Sequence, residues 1–474
     1  MEKRAFINAL NMRLPLSLRF TRKYNVAIVG TGPAGFYTAH HLLQKSASPL
    51  KIDFFDRLPA PYGLSRYGVA PDHPEVKKCE EYLDRIMDEH SENVRFFGNV
   101  NVGQDVSLAQ LEKHYHSVVL AYGCTAADKS LSIEGSSLPG VVPARKIVNW
   151  YNGHPDSVSA EIPPWEKIEN VTIIGNGNVA IDVARVLLAG PRHWAPTDML
   201  ARAVEQLERS AVKKVNIVAR RGLLHSAFTN KEMRELLQLP ELHFLPIADS
   251  VMEPIRPLVK TLGRVDKRKF TMLEKACGAP PPPEAKNSWA LEFFQSPRQF
   301  VAAQDPQLLS ETVFEENEQD GAGVRATGRL RRLKNDLAVL SIGYSGRGLP
   351  GFEECGLVFD EKKNCALHIG GRMLSPQGEI VPGWYAAGWL RSGPRGVIAS
   401  TMMEAFDTAE KVLLDLDLRG MSEDKEDIKP LLPEVVEWDG WTRVDKYELE
   451  EGARLGKSRS KVESAEEMVR LARS

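Results

Sequence analysis

"VTIIGNGNVAIDVARVLL", Val171 to Leu188, decides the fold, and an earlier stretch, "VAIVGTGPAGFYTAHHLL", Val26 to Leu43, is written to the same plan. Each opens with an apolar run of strand length, passes through a glycine turn and continues with the apolar spacing of a helix. In the earlier stretch Gly30, Gly32 and Gly35 fit G-x-G-x-x-G. The first glycine makes the tight turn, the second lets backbone approach a pyrophosphate, and the third lets the helix pack on the strand. The pyrophosphate then sits on the positive end of the helix dipole. Asp56 ends the next strand, "KIDFFD", where an acid accepts ribose hydroxyls and repels a 2′-phosphate. The ligand predicted there is FAD or NAD, not NADP. In the later stretch Gly175 and Gly177 repeat the turn, and Ala180 takes the third position, its methyl holding the helix slightly off the strand. Arg220 and Arg221 close the following strand in "IVARRG" and replace the acid. Two guanidinium forks there can hold a 2′-phosphate bidentately. One chain thus pairs a resident dinucleotide with a site that admits NADPH. A flavin can take two electrons from such a donor and release them singly, so the pairing predicts an electron-transfer enzyme.

At 474 residues the chain exceeds one ordinary core, which predicts two or three domains. Hydrophobic content of 43% with 26% charged residues describes a soluble globular protein. The formal net charge of −2 gives no global argument for nucleic acid, and no apolar run approaches the roughly 20 residues that span a bilayer. The five cysteines, Cys79, Cys124, Cys277, Cys355 and Cys365, form no C-x-x-C pair. Neither a disulfide framework nor a metal site is expected at these spacings. The first 23 residues hold Lys3, Arg4, Arg13, Arg19, Arg22 and Lys23 against one acid, Glu2. That composition resembles a mitochondrial presequence.

Between the two nucleotide stretches, "RLPAPYGLSRYGVAPDHPEV" has no sustained apolar period and is expected to be an irregular covering loop. A helical pattern follows from Lys77 to His90, and "SVVLAYG" and "NDLAVLSIGY" read as further buried strands. The fold predicted is α/β: two nested Rossmann-like three-layer domains. The FAD domain runs from Tyr24 to about Cys124 and resumes at about Asn335; the NADP domain is the insert from Thr125 to Lys334. The charged tail after about Asp417, anchored by Trp438 and Trp441, is expected to wrap the surface without forming a core.

The segments "PYGLSRYGVAPDHPEVK", "GNGNVAIDVAR", "ARRG", "FTNKE" and "GWLRSGPRGVIASTM" closely resemble the adrenodoxin-reductase family of ferredoxin–NADP⁺ reductases, which have a glutathione-reductase-like fold. The resemblance runs from Tyr24 through the tryptophan-bearing tail. It implies electron transfer from NADPH through FAD to a [2Fe–2S] ferredoxin in the mitochondrial matrix, serving iron–sulfur cluster, heme A or steroid pathways. It also implies FAD contacts at Ala34, Asp56, Leu64, Val100, Trp389 and Gly396, Val397 and Ile398. NADP contacts are implied at Asn176, Gly177, Asn178, Val179, Arg220, Arg221, Glu232 and Gly396. Asp56 departs from the glutamate usual at that strand end, so this shorter acid must sit closer to the ribose. Near the flavin the resemblance places His73 and Asp182, as candidates for moving protons.

A basic run, Arg256, Lys260, Arg264, Lys267, Arg268 and Lys269, has Asp266 as the only acid among its charges. The family's ferredoxins are acidic and dock on basic residues of the NADP domain, so the resemblance implies docking at Arg264, Lys267, Arg268 and Lys269. No nucleic-acid motif appears. The missing C-x-x-C argues against a thiol–disulfide reductase. A flavin monooxygenase and a non-catalytic dinucleotide-binding subunit stand as the alternatives. Balanced charge suggests a monomer in the matrix, with a peripheral place on the inner membrane left open.

Overall fold

The computed structural model describes residues 23–124, 127–158, 161–321, 323–396, 398–419 and 424–474. The expected presequence except Lys23, the crossing at Thr125, and Val397 lie outside the described residues.

Tyr24–Val29 is an inner strand of a seven-stranded sheet. It pairs in parallel with Leu50–Phe55 on one side and Ser117–Leu120 on the other. Val94–Phe97 closes one edge, while Ile380–Ala386 and two short antiparallel strands extend the other. Val26, Ala27 and Ile28 are wholly buried, as a parallel sheet covered on both faces requires. One face packs on the helices Pro33–Lys45, Glu81–Glu89 and Ile398–Arg419. The other face packs on the helix Leu108–His114, whose start carries a Ser107–Gln110 capping box, and on the loops around Phe352 and Ile428.

The second sheet has six strands, all parallel, in the order Val141–Pro143, Leu337–Leu340, Asn170–Ile174, Lys214–Val218, Asn287–Glu292, Leu242–Leu245. Helices including Ala144–Asn152, Asn178–Leu188 and Asn230–Gln238 cover one face. A three-stranded antiparallel sheet, built from two long strands of a hairpin and Gln295–Ala302, covers the other around Phe300 and Phe314. Two nested three-layer α/β units result.

Two expectations need correction. The return to the first unit does not begin at Asn335, because Leu337–Leu340 is hydrogen-bonded between two strands of the second sheet. The crossing lies later, where Tyr344–Ser345 runs antiparallel to the outgoing Ala127–Asp128. The tail is no surface wrap. It forms the helices Trp438–Arg454 and Ala465–Arg473, and Trp441, Val444 and Met468 are buried in the core shared with the first sheet. Each such side chain is worth about 1.5–3 kcal/mol of burial, which a charged average composition conceals.

Candidate functional site

The three glycines of the first turn are glycine for different reasons. At Gly30 φ is +103° and a Cβ would lie 2.6 Å from the Ala121 carbonyl oxygen; at Gly35 a Cβ would meet the Gly30 oxygen at 2.0 Å. Gly32 has an ordinary φ of −74°, and the nearest atom to a Cβ there is the Tyr62 carbonyl oxygen at 3.9 Å. The fold alone does not require glycine at that position, which is where a ligand's close approach would require one. The second turn repeats the pattern. Gly175 has φ +116° and a Cβ would lie 2.1 Å from the Ser341 carbonyl oxygen, whereas nothing lies within 4 Å of a Cβ at Gly177. Neither following helix has a side-chain cap, which leaves first-turn N–H donors and the helix dipole facing that space. Both turns fit a pyrophosphate. Ala180 is fully buried, so a real methyl is accommodated where the first turn has Gly35.

Asp56 braces the first turn. Its Oδ2 accepts from the Thr31 amide at 3.0 Å and the Thr31 hydroxyl at 2.5 Å, and its Oδ1 accepts from the Leu58 amide at 3.0 Å. A carboxylate has about four acceptor directions, so one remains on Oδ1 for a ribose hydroxyl. Burial raises this carboxyl above its ordinary range, against the three hydrogen bonds. The other residues implied as FAD contacts gather along the same edge. The Val100 amide donates to the Asp56 carbonyl at 2.9 Å. A Cβ on Gly388, before Trp389, would touch the Ala34 methyl carbon at 2.4 Å. Leu64 follows Gly63, whose Cβ would sit 3.3 Å from the Gly32 Cα. The Trp389 ring lies 5.5 Å from that of Tyr344, which is on the returning crossing. Gly396 has φ +86°, and the long helix opens at Ile398.

At the second turn, Asn176 Nδ2 donates to the Ser226 hydroxyl at 3.1 Å and Asn178 Oδ1 accepts from the Thr229 amide at 2.8 Å. These bonds dock the start of the Asn230–Gln238 helix beside the turn, with Val179 half-buried between. Arg220 and Arg221 are both exposed at the end of the neighbouring strand. The Arg220 carbonyl is fixed by Asn317 Nδ2 at 3.1 Å. Neither guanidinium is ion-paired among the described residues, while Arg145, Arg298 and Arg331 all are.

His73, Asp182 and Glu232 do come together, through a residue the sequence reading missed. Arg185, only 1% exposed, donates to Asp72 at 2.9 Å, Asp182 at 3.0 Å, Glu235 at 3.2 Å and Glu232 at 3.3 Å. His73 Nε2 lies 2.7 Å from Glu235 and 3.2 Å from the same guanidinium. His193 lies 3.0 Å from Asp72. The cluster joins the covering loop of the first unit to three helices of the second, the third being the short Pro191–Trp194. Glu232, implied as an NADP contact, is thus already paired with Arg185. Burial, then Glu232 and Asp72, pushes Asp182 well above the carboxylate range despite Arg185. Burial pushes Asp72 the same way, but His193 and Arg185 outweigh it and hold that carboxyl low. Two acids on one guanidinium are therefore driven apart, the arrangement by which a site keeps one proton in place. His73, Glu232 and Glu235 each bring a possible metal-ligand atom within 4.8 Å of one another, but Arg185 already supplies positive charge there. The sequence signal for Arg185 was an arginine one turn after Asp182 on an otherwise apolar helix.

The basic run lies largely on the helix Arg264–Cys277. Arg264, Lys267, Arg268 and also Lys275 are exposed on its outer side. Lys269 is not: its side chain is 5% exposed, donates to the Ser226 carbonyl at 2.9 Å and lies over the Phe228 ring. It points inward because position 269 falls beside Phe270 and Leu273 on the buried stripe. Arg256 is spent on Glu274 at 3.1 Å.

A model of the pyridine nucleotide-disulphide oxidoreductase family matches residues 24–239. The chain is 38% identical over 469 residues to the human protein named NADPH:adrenodoxin oxidoreductase, mitochondrial, covering 94% of this chain and 91% of that one. It is 37% identical to a budding-yeast protein named as a probable enzyme of the same kind, over 96% and 97% of the two chains. Among solved structures, Mycobacterium tuberculosis FprA in complex with NADPH superposes with a TM-score of 0.87 at 32% identity, covering 96% of this chain and all of that one.

Proposed function

Because the chain belongs to the NADPH:adrenodoxin oxidoreductase family, we propose that it oxidises NADPH and reduces an acidic [2Fe–2S] ferredoxin, as a monomer of the mitochondrial matrix. The mitochondrial names of its relatives and the basic leader composition support that compartment. Among the described residues no helix is long and apolar enough to cross a membrane. Bound FAD supplies the conversion between a two-electron donor and a one-electron acceptor. The protein's own part is to hold, orient and protonate. Gly30, Gly32 and Ala34 cradle the FAD pyrophosphate, Asp56 offers its remaining acceptor direction to the ribose, and Trp389 and Gly396 line the far end. Gly175, Gly177 and Asn178 take the NADPH pyrophosphate, and Arg220 and Arg221 take its 2′-phosphate. Asp182 keeps a proton that burial and the neighbouring Glu232 and Asp72 favour, on the same Arg185 that meets His73. The exposed arginines and lysines of the Arg264 helix steer the ferredoxin.

One observation carries this reading: an acid-ended and an arginine-ended glycine turn in one chain, each with a middle glycine that the protein's own packing does not require. The test is an anaerobic titration of the purified protein. A yellow protein bleached by stoichiometric NADPH, far less readily by NADH, and reoxidised by an acidic [2Fe–2S] ferredoxin is expected. Coupled hydroxylation of an added substrate under oxygen would favour a monooxygenase instead, and a colourless protein a binding subunit.

A further inference from the structure

The covering loop rests directly on the first glycine turn. The Tyr62 amide donates to the Thr31 carbonyl at 3.1 Å, and Gly63 closes over Gly32. Tyr62 has φ +78°, left-handed backbone that a bulky residue keeps only where its surroundings over-determine it. Those surroundings come from the far end of the chain. Trp441 packs edge-on against Tyr62, with ring centres 5.8 Å apart, and its Nε1 reaches the Tyr62 hydroxyl at 3.4 Å. The Arg66 guanidinium lies over Trp441 and donates to both oxygens of Glu448, at 2.6 and 2.8 Å.

Glu448 is fully buried and also accepts from Arg459 at 2.9 Å and the Val462 amide at 2.8 Å. Past it, Lys461 Nζ donates to the Arg66 and Asn152 carbonyls, both at 3.2 Å, and pairs with Asp198 at 2.9 Å. The tail therefore grips the loop on one side and the second unit on the other. Buried ion pairs add little to stability compared with apolar packing, while fixing position is one of the roles they serve.

We propose that Trp441, Glu448 and Lys461 form a C-terminal clasp that holds Tyr62–Tyr67 down on the first glycine turn and so sets how long FAD stays bound. They are positioning residues, acting through Tyr62 and Arg66. The proposal rests on the assignment of the first turn to FAD.

The test uses the full-length holoprotein and follows FAD release on dilution by the rise in flavin fluorescence. Glu448→Gln should release FAD at least tenfold faster than wild type, with its NADP⁺ affinity unchanged. Arg66→Lys, which keeps the charge but loses the planar guanidinium lying over Trp441, should fall between. Val186→Ala, which opens a gap in the second unit's core, should lower the melting temperature without speeding release. Wild-type release rates in folded Glu448→Gln and Arg66→Lys would overturn the clasp. So would equally fast release from Val186→Ala at a matched melting temperature, since global loosening would then suffice. If Glu448→Gln does not fold, Arg66→Lys decides. A wild-type protein that neither carries nor takes up flavin would overturn the FAD assignment as well, a failure visible before any variant is made.

Discussion

The first and second glycine turns share a plan and differ in what surrounds them. Over Gly32 lies the Tyr62–Gly63 loop, itself backed by the buried side chain of Trp441; at Gly177 a Cβ would meet nothing within 4 Å among the described residues. The acid at the first strand end is bonded to its own turn through Thr31, whereas the two arginines at the second stand exposed, with no ion pair among the described residues. The third position is Gly35 under contact that excludes a methyl, against Ala180 where a methyl is buried. A closed turn suits a ligand that stays; an open turn with free cations suits one that comes and goes. With FAD assigned to the first turn and NADPH to the second, as proposed, cover and charge on a single backbone motif would separate a prosthetic group from a co-substrate.

The sharpest way to break the contrast is to swap the block. At Gly32 φ is ordinary and the nearest atom to a Cβ is 3.9 Å away, so Gly32→Val adds no backbone strain and carries its two methyls onto the turn. The variant should fold, yet be isolated with almost no FAD and a melting temperature lowered by the lost ligand contribution. Gly177→Val should keep its yellow colour and lose reduction by NADPH. Equal flavin content in both variants would erase the distinction.

Next in size is the pair of arginines. Replacing Arg220 and Arg221 with Ala removes two charge-assisted interactions of at least about 1.5 kcal/mol each, or roughly 100-fold in kcat/KM for NADPH. Turnover with NADH, which lacks the phosphate, should change little. Parallel losses with both nucleotides would assign the pair a structural role.

A smaller effect is expected at the exposed basic helix Arg264–Cys277 of the second unit. Arg264→Glu with Arg268→Glu should slow ferredoxin reduction about tenfold or more at low salt, with the difference shrinking once the screening length falls below about 8 Å. Ferricyanide reduction by NADPH should be untouched. Lys269→Ala, by contrast, should cost stability without salt dependence, since that lysine is bonded inward.

The smallest is a pH slope. Burial, with Lys77 and Arg66, holds Lys461 down at about 7 against the pull of Asp198, below its ordinary 10.5. Between those values the unfolded chain binds a proton that the folded chain does not, so stability from this group rises with pH across the window and the penalty is complete below about 7. Lys461→Met should flatten that rise, measured by urea unfolding at pH 7 and pH 9. An unchanged slope would place the titration elsewhere.

What the sequence disclosed follows the range of the interactions. Gly30, Gly32, Gly175, Gly177, Arg220 and Arg221 were legible because turn geometry and strand-end chemistry are decided within a few residues. The two sheets followed from apolar runs such as "NVAIV" and "NVTII". Arg185 and Glu235 were not legible, because their partners Asp72 and His73 come from the other unit, more than a hundred positions away. The Glu448–Arg66 pair spans 382 positions, and in composition Glu448 is one more acid in a charged tail. Lys269 misled for the same reason: in a basic run only the helical phase set by Phe270 and Leu273 shows which cation turns inward. The boundary at Asn335 was misplaced because one buried strand reads like another until its hydrogen-bonded neighbours are known.

The two crossings between the units lie side by side, Ala127 against Ser345 and Asp128 against Tyr344. The inserted unit thus begins and ends at one point on its host. Joining the chain across that point would leave every strand of the first sheet beside its present neighbours, and the excised piece would carry its own six strands and its own core. In the language of grafting, the inserted unit is a cassette: its covalent link to the host is a single two-strand joint, and an exchanged insert has only to restore the Arg185 cluster and the Lys461–Asp198 pair across the seam.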